Sequence, residues 1–439
     1  MVTSREDELT ARGHARIFYG WVVLGVVSVA SAISMGPRSV FSVFLLAFLE
    51  EFGWSRAAAA AVFSIHMTSY ALGGWVLGVL VDRCGPRRVM AWSTGAWCLI
   101  LLLSSRIRSL WQLYALFGLL GGLATGGLAY VPTNALLSRW FVRYRGLATG
   151  FSQTGSPLGI VMFGALTQLA ITALGWRNTY LAFGLLVGVT SLPLILLFLR
   201  DTPREMGLDP DGIPAPASAS GRSGHRAPGA ETSYGRRLPP GYWTVFCANV
   251  LRGVVMNALL VHQVAYLVDV GFTKLAAASY FALSSLLAVL GGCAAGAISD
   301  RLGRARAYAG IAALYLIGIS SLLLVRGPSQ VLLVSIFIIA SGLATGGASP
   351  VFAALLTDRL QGPQLGFRLG LQNIAYGGGA TLGPFLAGAL FDRFGNYTLA
   401  FALIAASSVI SSVIVSTVTV AGRPGSWAAK GNGGESRKT

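Results

Sequence analysis

Long apolar stretches separated by short charged turns run through almost the whole chain. Each stretch has the length that a helix needs to cross the hydrocarbon core of a bilayer, which is about 20 residues. The stretches lack the alternation of apolar and polar positions that is typical of membrane-spanning strands. Lipid offers the backbone no hydrogen-bond partners, so a spanning segment must be a helix or part of a closed barrel. The pattern therefore predicts an all-α membrane protein.

We predict twelve transmembrane helices in two sets of six. The first set lies near residues 17–49, 55–80, 87–105, 109–138, 145–172 and 176–200, and the second near 241–269, 273–298, 305–325, 329–357, 366–390 and 397–421. The segment between the sets is rich in Pro, Gly, Ser and charge, as flexible linkers are. The predicted parts are a tail at 1–16, a six-helix bundle at 17–200, a linker at 201–240, a second six-helix bundle at 241–421 and a tail at 422–439.

Composition supports this architecture and excludes several function classes. The 439 residues are 54% hydrophobic and only 11% charged, whereas a soluble protein carries about 25% charged residues. The polar N-terminus has no apolar core of its own, so we do not expect it to be a cleaved signal peptide. The four cysteines show no CxxC spacing and no cluster with histidine, so neither a metal site nor a disulfide is expected. No catalytic triad and no nucleotide-binding motif occurs, so we expect neither an enzyme nor a cofactor.

The net charge of +17 is distributed unevenly along the chain. Of the 33 Lys and Arg residues, 24 lie in the tails, the linker and the turns that follow even-numbered helices, 7 lie in the other turns and two lie within helices. An excess of positive charge marks the cytoplasmic side of a membrane protein. We therefore expect both termini and the linker to be cytoplasmic, in a cell (inner or plasma) membrane. Since no continuous basic face is apparent, no nucleic-acid partner is expected.

The two halves of the chain repeat each other at an offset near 220 residues. The matching pairs are GLATGG at 122–127 and 342–347, GVLVDRCGPRR at 78–88 with GAISDRLGRAR at 296–306, and YGW at 19–21 with GYW at 241–243. Three matches in the same order indicate an internal duplication. Two parallel six-helix repeats are the plan of many secondary transporters, whose substrate site lies between the repeats near the middle of the membrane.

The repeated turns resemble those of the major facilitator superfamily. Its cytoplasmic signature, G-x-x-x-D-R-x-G-R-R, is matched by Gly78, Asp82, Arg83, Gly85, Arg87 and Arg88, and in the second half by Gly296, Asp300, Arg301, Gly303 and Arg304. The resemblance implies the major facilitator fold. It also implies that Gly78, Asp82, Arg83, Arg87, Asp300 and Arg301 take part in gating, with the two aspartates capping helix N-termini across the interface between the halves. The alternative is that these basic turns only set the topology.

Within that superfamily, the chain is similar to the monocarboxylate transporter and oxalate:formate antiporter branch. The similar segments are YGWVVLG at 19–25, PRS at 37–39, RGLATGFSQTGSPLG at 145–159 and GPFLAGALFDRFGNY at 383–397. The monocarboxylate carriers have Pro-Lys-Ser at the second of these, so Arg38 replaces their substrate-side lysine. In helix 8, the positions of their Asp and Arg correspond to Ala288 and Gly292, and no charge lies between Lys274 and Asp300. This departure disfavours proton symport through a protein carboxylate.

Two arginines lie within the predicted helices, Arg38 in helix 1 and Arg252 in helix 7. All 16 Asp and Glu residues lie in tails, turns, the linker or at helix ends. Arginine in a membrane core marks a functional site more often than not, and a cation without an acidic partner needs an anion. Both side chains are therefore predicted to bind the carboxylate of a small organic anion. The alternatives are an arginine that reaches the membrane surface or one that bonds a carbonyl of a neighbouring helix.

Further polar residues could line the cavity or contribute to coupling. His66 could bond a substrate oxygen or titrate as a coupling group, and His262 could also serve in coupling. Each histidine could equally be a neutral packing residue. The remaining predicted substrate-binding residues are Tyr130, Asn257 and Tyr376, for which hydrogen bonding between helices is the alternative.

The sequence as a whole predicts a secondary active transporter that moves a mono- or dicarboxylate by alternating access, as a symporter or as an antiporter. Its expected partners are the organic anion, the lipid bilayer and a proton or counter-anion. Two alternatives remain open. One is an exporter of an amphipathic compound or drug, and the other is a transporter-like receptor.

Overall fold

The structure is a computed structural model that describes residues 18–128, 130–142, 144, 148, 151–152, 154–212, 241–359 and 365–420. Both predicted tails and most of the predicted linker lie outside these residues. The described part of the linker forms two single turns of 3-10 helix, Pro203–Met206 and Pro210–Gly212.

The first half contains six helices, some of which are made of several segments. Helix α1 runs over Tyr19–Ser39 and continues as Phe41–Phe52, α2 over Arg56–Cys84 and α3 over Pro86–Ser104. Helix α4 comprises Leu110–Leu113, the π-helical Tyr114–Leu120, Gly121–Gly126 and Tyr130–Trp140. The stretch Gly155–Leu186 holds both α5 and α6, because Gly175 has a non-helical backbone with φ of 78° and ends the first of them. Helix α6 continues through Val187–Ser191 and Leu192–Phe198.

The second half repeats this order with longer uninterrupted helices. They are α7 at Tyr242–Asp269, α8 at Lys274–Leu302, α9 at Arg304–Leu324, α10 at Val331–Arg359, α11 at Leu365–Phe394 and α12 at Thr398–Val420. The prediction of twelve helices is therefore confirmed. Nine of the described stretches are long and apolar enough to span a membrane, and one of these, Pro157–Phe198, holds two of the twelve helices.

The duplication is visible in how equivalent helices begin and end. Helix α2 starts at Ser55, whose side chain accepts a hydrogen bond from the Ala58 amide at 3.2 Å, and α8 starts at Thr273, which bonds Ala276 in the same way. Such caps satisfy backbone donors that have no partner within the helix. Helices α2 and α8 end at Gly85 and Gly303, where the backbone φ values of 84° and 87° favour glycine.

The two halves meet mainly along two helix pairs, α2 with α11 and α5 with α8, and to a smaller extent between the second segment of α1 and α7. Close approach is possible because small residues lie at the crossings. A Cβ added to Gly388 in α11 would lie 2.9 Å from the Ala57 backbone, and one added to Gly377 would lie 2.9 Å from the Ala71 Cβ. On the other pair, Gly164 of α5 faces Ala282 of α8. Small residues at an interface let helices pack backbone to backbone in lipid.

Candidate functional site

Arg38 lies one residue after Pro37, near the end of the first segment of α1, and its guanidinium has no oxygen partner among the described residues. Its two terminal nitrogens lie 3.5 Å from the Met35 sulfur and 3.6 Å from the Met67 sulfur. Its central carbon lies 4.9 Å from the centre of the Tyr70 ring. The buried Nε has no hydrogen-bond partner in the described chain. Thioether sulfur is a weak acceptor, so this cation is held in place but its charge is not balanced.

Arg252 lies in α7 and is held by polar as well as aromatic neighbours. Its Nε donates to Asn249 Oδ1 at 3.0 Å, and one terminal nitrogen donates to Ser349 Oγ at 3.0 Å. The guanidinium also lies 4.5 Å from the centre of the Tyr376 ring and 5.0 Å from that of Phe352. These contacts orient the group without neutralising it, because none of them carries a negative charge.

The two predicted arginine sites approach one helix crossing from opposite halves. Arg38 stacks on Tyr70 of α2, and Arg252 stacks on Tyr376 of α11. Those tyrosines directly precede Ala71 and Gly377, which form one of the two close approaches of α2 and α11.

Asn257, predicted as a substrate-binding residue, supports this arrangement through Tyr376. Its side-chain amide donates to the Tyr376 hydroxyl at 3.2 Å and to the Gly253 carbonyl at 3.0 Å. Asn257 therefore positions Tyr376 and also bonds the backbone of its own helix. Tyr130 begins the last segment of α4, and its side chain lies outside the described part of the chain.

His66 forms no hydrogen bond with either arginine in the described chain. The ring is fully buried, with Nδ1 2.8 Å from the Phe117 carbonyl oxygen and Nε2 3.0 Å from Thr125 Oγ1. Its ring packs against Phe117 and Trp97 at centroid distances of 5.1 and 6.0 Å. Both ring nitrogens are thus used in joining α2 to α4 within the first half, which matches the packing alternative for this residue.

A network between the halves lies at one end of the bundle, which we call the latch end. Arg56, at the start of α2, forms an ion pair with Asp269 of α7 at 2.7 Å and donates to the Tyr397 hydroxyl at 2.7 Å. Asp392 at the end of α11 accepts hydrogen bonds from the backbone N–H groups of Arg56 and Ala57 at 2.9 and 2.7 Å. Asp392 thus caps the N-terminus of a helix in the other half, where a negative charge is favourable.

Further contacts between the halves strengthen the latch end. Lys274 of α8 pairs with Glu50 of α1 at 2.6 Å. Farther along the same interface, the hydroxyls of Thr68 in α2 and Thr381 in α11 lie 2.8 Å apart. Glu51, next to Glu50, pairs instead with Arg177 of its own half. Together these bonds close the latch end of the interface.

The opposite end of the bundle carries the two signature turns, and we call it the signature end. Its described ion pairs stay within one half, where Arg304 pairs with Asp300 at 2.5 Å and with Asp358 at 3.1 Å. The Arg87 amide donates to Asp201 Oδ1 at 2.8 Å, again within one half. The other residues of the gating prediction are Gly78 and the exposed Asp82, Arg83 and Arg301. Residues 145–147, 149–150, 153 and 360–364, which precede α5 and α11 at this end, lie outside the described residues, so the caps across the halves by Asp82 and Asp300 stay predictions.

His262 lies behind the latch end and is connected to it. Its Nδ1 is 2.9 Å from the Tyr397 hydroxyl, and its Nε2 is 2.8 Å from the Pro384 carbonyl oxygen. Both His262 and Tyr397 are almost inaccessible to solvent. A chain of contacts therefore runs from Asp269 through Arg56 and Tyr397 to His262.

The latch end was not among the sequence-based predictions, although the sequence carries a signal for it. Gly388, Asp392, Arg393 and Gly395 reproduce the spacing G-x-x-x-D-R-x-G of the signature turns at the opposite end of the bundle. Gly388 allows the close approach to Ala57, and Asp392 supplies the cap. The aspartate of this third copy thus caps a helix of the other half, which is the kind of contact that the signature predicts for Asp82 and Asp300.

Comparison with known proteins places the chain among membrane carriers. A family model described as Major Facilitator Superfamily matches residues 27–341 and 245–438. The chain is 29% identical over 401 residues to monocarboxylate transporter 13 of Bos taurus, covering 91% of this chain and 89% of that one. It is 29% identical over 405 residues to monocarboxylate transporter 3 of Rattus norvegicus, covering 91% and 80%. It is 25% identical over 415 residues to the uncharacterized MFS-type transporter YcxA of Bacillus subtilis (strain 168), covering 90% and 94%.

Solved structures show the same fold. A bacterial homologue of the human lysosomal transporter Spinster, in an inward-facing and occupied conformation, aligns with a TM-score of 0.68 at 16% identity, covering 93% of this chain and 98% of that one. A point mutant of the nucleoside transporter NupG aligns with a TM-score of 0.70 at 12% identity, covering 90% and 98%. The relatives and the helices together show a multi-pass membrane protein that transports a small-molecule solute and is not an enzyme. The chain belongs to the Major Facilitator Superfamily and, within it, is similar to the monocarboxylate transporters.

Proposed function

We propose that this chain is a secondary active carrier for a small organic anion, a mono- or dicarboxylate, which it moves across the cell membrane by alternating access. The observation that carries the proposal is the guanidinium of Arg38, which meets two sulfurs and a ring but no oxygen among the described residues. A partly buried cation without a counter-charge is unfavourable. A carboxylate can accept two parallel hydrogen bonds from a guanidinium and balance its charge, so the substrate would complete this site.

Arg252 supports a site that is shared by both halves. Its partners leave its charge unbalanced, and it approaches the same α2–α11 crossing as Arg38. An anion bound there would contact both halves, so its binding would depend on how they are arranged. A ligand can shift a conformational equilibrium only through such a difference in affinity. This arrangement is what alternating access needs.

The bonds between the halves indicate which conformation is present. The described cross-half ion pairs, Arg56–Asp269 and Glu50–Lys274, both lie at the latch end. The uneven distribution of Lys and Arg supports a cytoplasmic signature end and cytoplasmic termini. On that orientation the conformation is inward-facing, with the extracellular side closed.

The lack of charged residues within the membrane-spanning part of α8 bears on how transport is coupled to a proton or a second anion. Ala288 stands where the monocarboxylate carriers have an aspartate, and α10 packs so tightly against it that a Cβ at Gly346 would lie 1.7 Å from the Ala288 carbonyl oxygen. The membrane-spanning part of α8 carries no charge between Lys274 and Asp300. This supports anion exchange, or a proton bound elsewhere, over symport through a carboxylate of α8.

Uptake into proteoliposomes tests the proposal. Labelled mono- and dicarboxylates would be offered to wild type, Arg38→Gln and Arg252→Gln, with and without internal anion. Loss of a charged hydrogen-bonding partner is worth about 1.5–3 kcal/mol, so each variant should lose roughly ten- to a hundredfold in kcat/KM. Arg326→Gln, in the exposed turn between α9 and α10, is the matched control and should transport normally. Normal uptake by Arg38→Gln would refute the anion site, whereas dependence on internal anion would identify exchange.

A further inference from the structure

The contacts of Tyr397 and His262 fix where their hydrogens lie while the latch end is closed. A guanidinium can only donate, so the Tyr397 oxygen accepts from Arg56 at 2.7 Å. The hydroxyl hydrogen is then free to point at His262 Nδ1, 2.9 Å away. The Pro384 carbonyl can only accept, so His262 Nε2 carries a hydrogen and donates to it at 2.8 Å. His262 in this arrangement is neutral, with its Nδ1 lone pair occupied.

A second proton on His262 opposes this arrangement for two reasons. Nδ1 would become a donor, so the Tyr397 hydroxyl could no longer donate to it. The new positive charge would also lie one hydroxyl group away from the Arg56 guanidinium, in a buried region where like charges repel strongly. Because Arg56 belongs to the first half and His262 and Tyr397 to the second, the simplest relief is separation of the halves at the latch end.

The charged and titratable groups around His262 come from several helices. They are Arg56 of α2, Asp392 of α11, Tyr397 of α12, and Tyr266 and Asp269 of α7 itself; at the same end, Glu50 of α1 is paired with Lys274 of α8. The nearby carboxylates already bond Arg56, the α2 N-terminus or Lys274. None of them bonds either nitrogen of His262, since those nitrogens meet Tyr397 and Pro384.

We propose that His262 is a proton-binding site whose proton is released when the latch end closes, so that acid drives the carrier toward the conformation that is open at the latch end. Proton binding and latch opening are reciprocal by thermodynamic linkage. With the halves apart, Tyr397 loses Arg56 and can accept a hydrogen bond from a protonated His262 while donating to water. A histidine that reaches water titrates near pH 6.5. Lowering the pH from 8 to 5.5 should therefore raise the ratio of open to closed latch by about tenfold.

This proposal does not rest on the identity of the transported anion, and its test needs no substrate. Spin labels would be attached at Ser109→Cys and Ser329→Cys, exposed positions at the latch end of each half. The four native cysteines would be replaced by serine and the full chain placed in lipid nanodiscs. Distances measured by double electron–electron resonance between pH 8 and 5.5 report the open and closed populations directly.

In the otherwise unchanged chain, the longer-distance population should grow as the pH falls. His262→Gln can keep both hydrogen bonds but cannot titrate, so its distance distribution should stay at the closed value throughout. His262→Asn is a second non-titrating variant should the glutamine side chain not fit. His66→Gln is the matched control, because His66 is equally buried but bonds only within the first half, and it should keep the full response. An unchanged distribution in the parent chain, or a full response in His262→Gln, would overturn the proposal.

Discussion

Weakening the cap that Asp392 forms on α2 is the most direct test of how the latch end is held closed. Two charge-assisted hydrogen bonds join its carboxylate to the Arg56 and Ala57 amides. In Asp392→Asn the negative charge disappears and one carboxylate oxygen becomes an amide nitrogen that cannot accept. A charged hydrogen bond contributes about 1.5–3 kcal/mol, and a charge at a helix N-terminus about 0.3–1 kcal/mol. Since asparagine is itself a good capping residue, we expect a net loss of about 1–2 kcal/mol.

That loss corresponds to a roughly 5- to 30-fold shift toward the conformation in which the latch end is open. Hydrogen–deuterium exchange measured by mass spectrometry reads it out. Peptides covering the first two turns of α2 and the end of α11 should both exchange faster in the variant. The rise in α11 is the informative one, because the capped amides of Arg56 and Ala57 would lose protection even if the halves stayed together.

Asp201→Asn provides the matched control. Asp201 also accepts a hydrogen bond from a backbone amide near a helix start, that of Arg87 in α3, but within one half of the protein. We expect faster exchange at the start of α3 and no change in α2 or α11. If Asp392→Asn left α11 unaltered, or if Asp201→Asn loosened α11 equally, the idea that Asp392 holds the two halves together would be wrong.

Two further predictions concern the packing and the caps. Gly388→Ala places a Cβ 2.9 Å from the backbone of α2, so it should prevent full closure of the latch end and lengthen the distance between spin labels at positions 109 and 329. Gly378→Ala is the control, because its Cβ meets open space in the same helix and should leave that distance unchanged. Equal distances in the two variants would contradict the role of the Gly388 crossing. Ser55→Ala and Thr273→Ala each remove a helix cap and should each lower stability by about 1 kcal/mol, measured as a lower Tm in detergent; an unchanged Tm would show that other groups cap these helices.

The helices could be predicted from the sequence because the bilayer imposes their length. Each apolar stretch had to be long enough to span and had to satisfy its own backbone, and the predicted bounds of α7 and α8 agree closely with Tyr242–Asp269 and Lys274–Leu302. The turn at Gly175 was also located, because the polar residues after it interrupt the apolar stretch.

The partners of the charged residues could not be predicted in this way. Arg56 and Asp392 are 336 residues apart in the chain, and only the arrangement of the two halves brings them together. Hydropathy placed both at helix ends beside short turns, where charge is expected in any membrane protein. The hydrogen-bond partners of the two histidines could not be predicted either. Both lie within long membrane-spanning helices, and the sequence could not show that His66 bonds within one half while His262 reaches a residue that contacts both.

The sulfur and ring partners of Arg38 have a consequence for how fast a carrier of this design can turn over. A guanidinium held by a carboxylate would have to exchange one strong bond for another each time a solute arrived or left, and the barrier would slow every cycle. Methionine sulfur and an aromatic face fix the side chain's direction but compete weakly for its hydrogens. On the proposed function, an arriving anion therefore displaces little, and a departing one leaves behind a side chain that is already oriented for the next. Such surroundings favour rapid loading and unloading over tight retention.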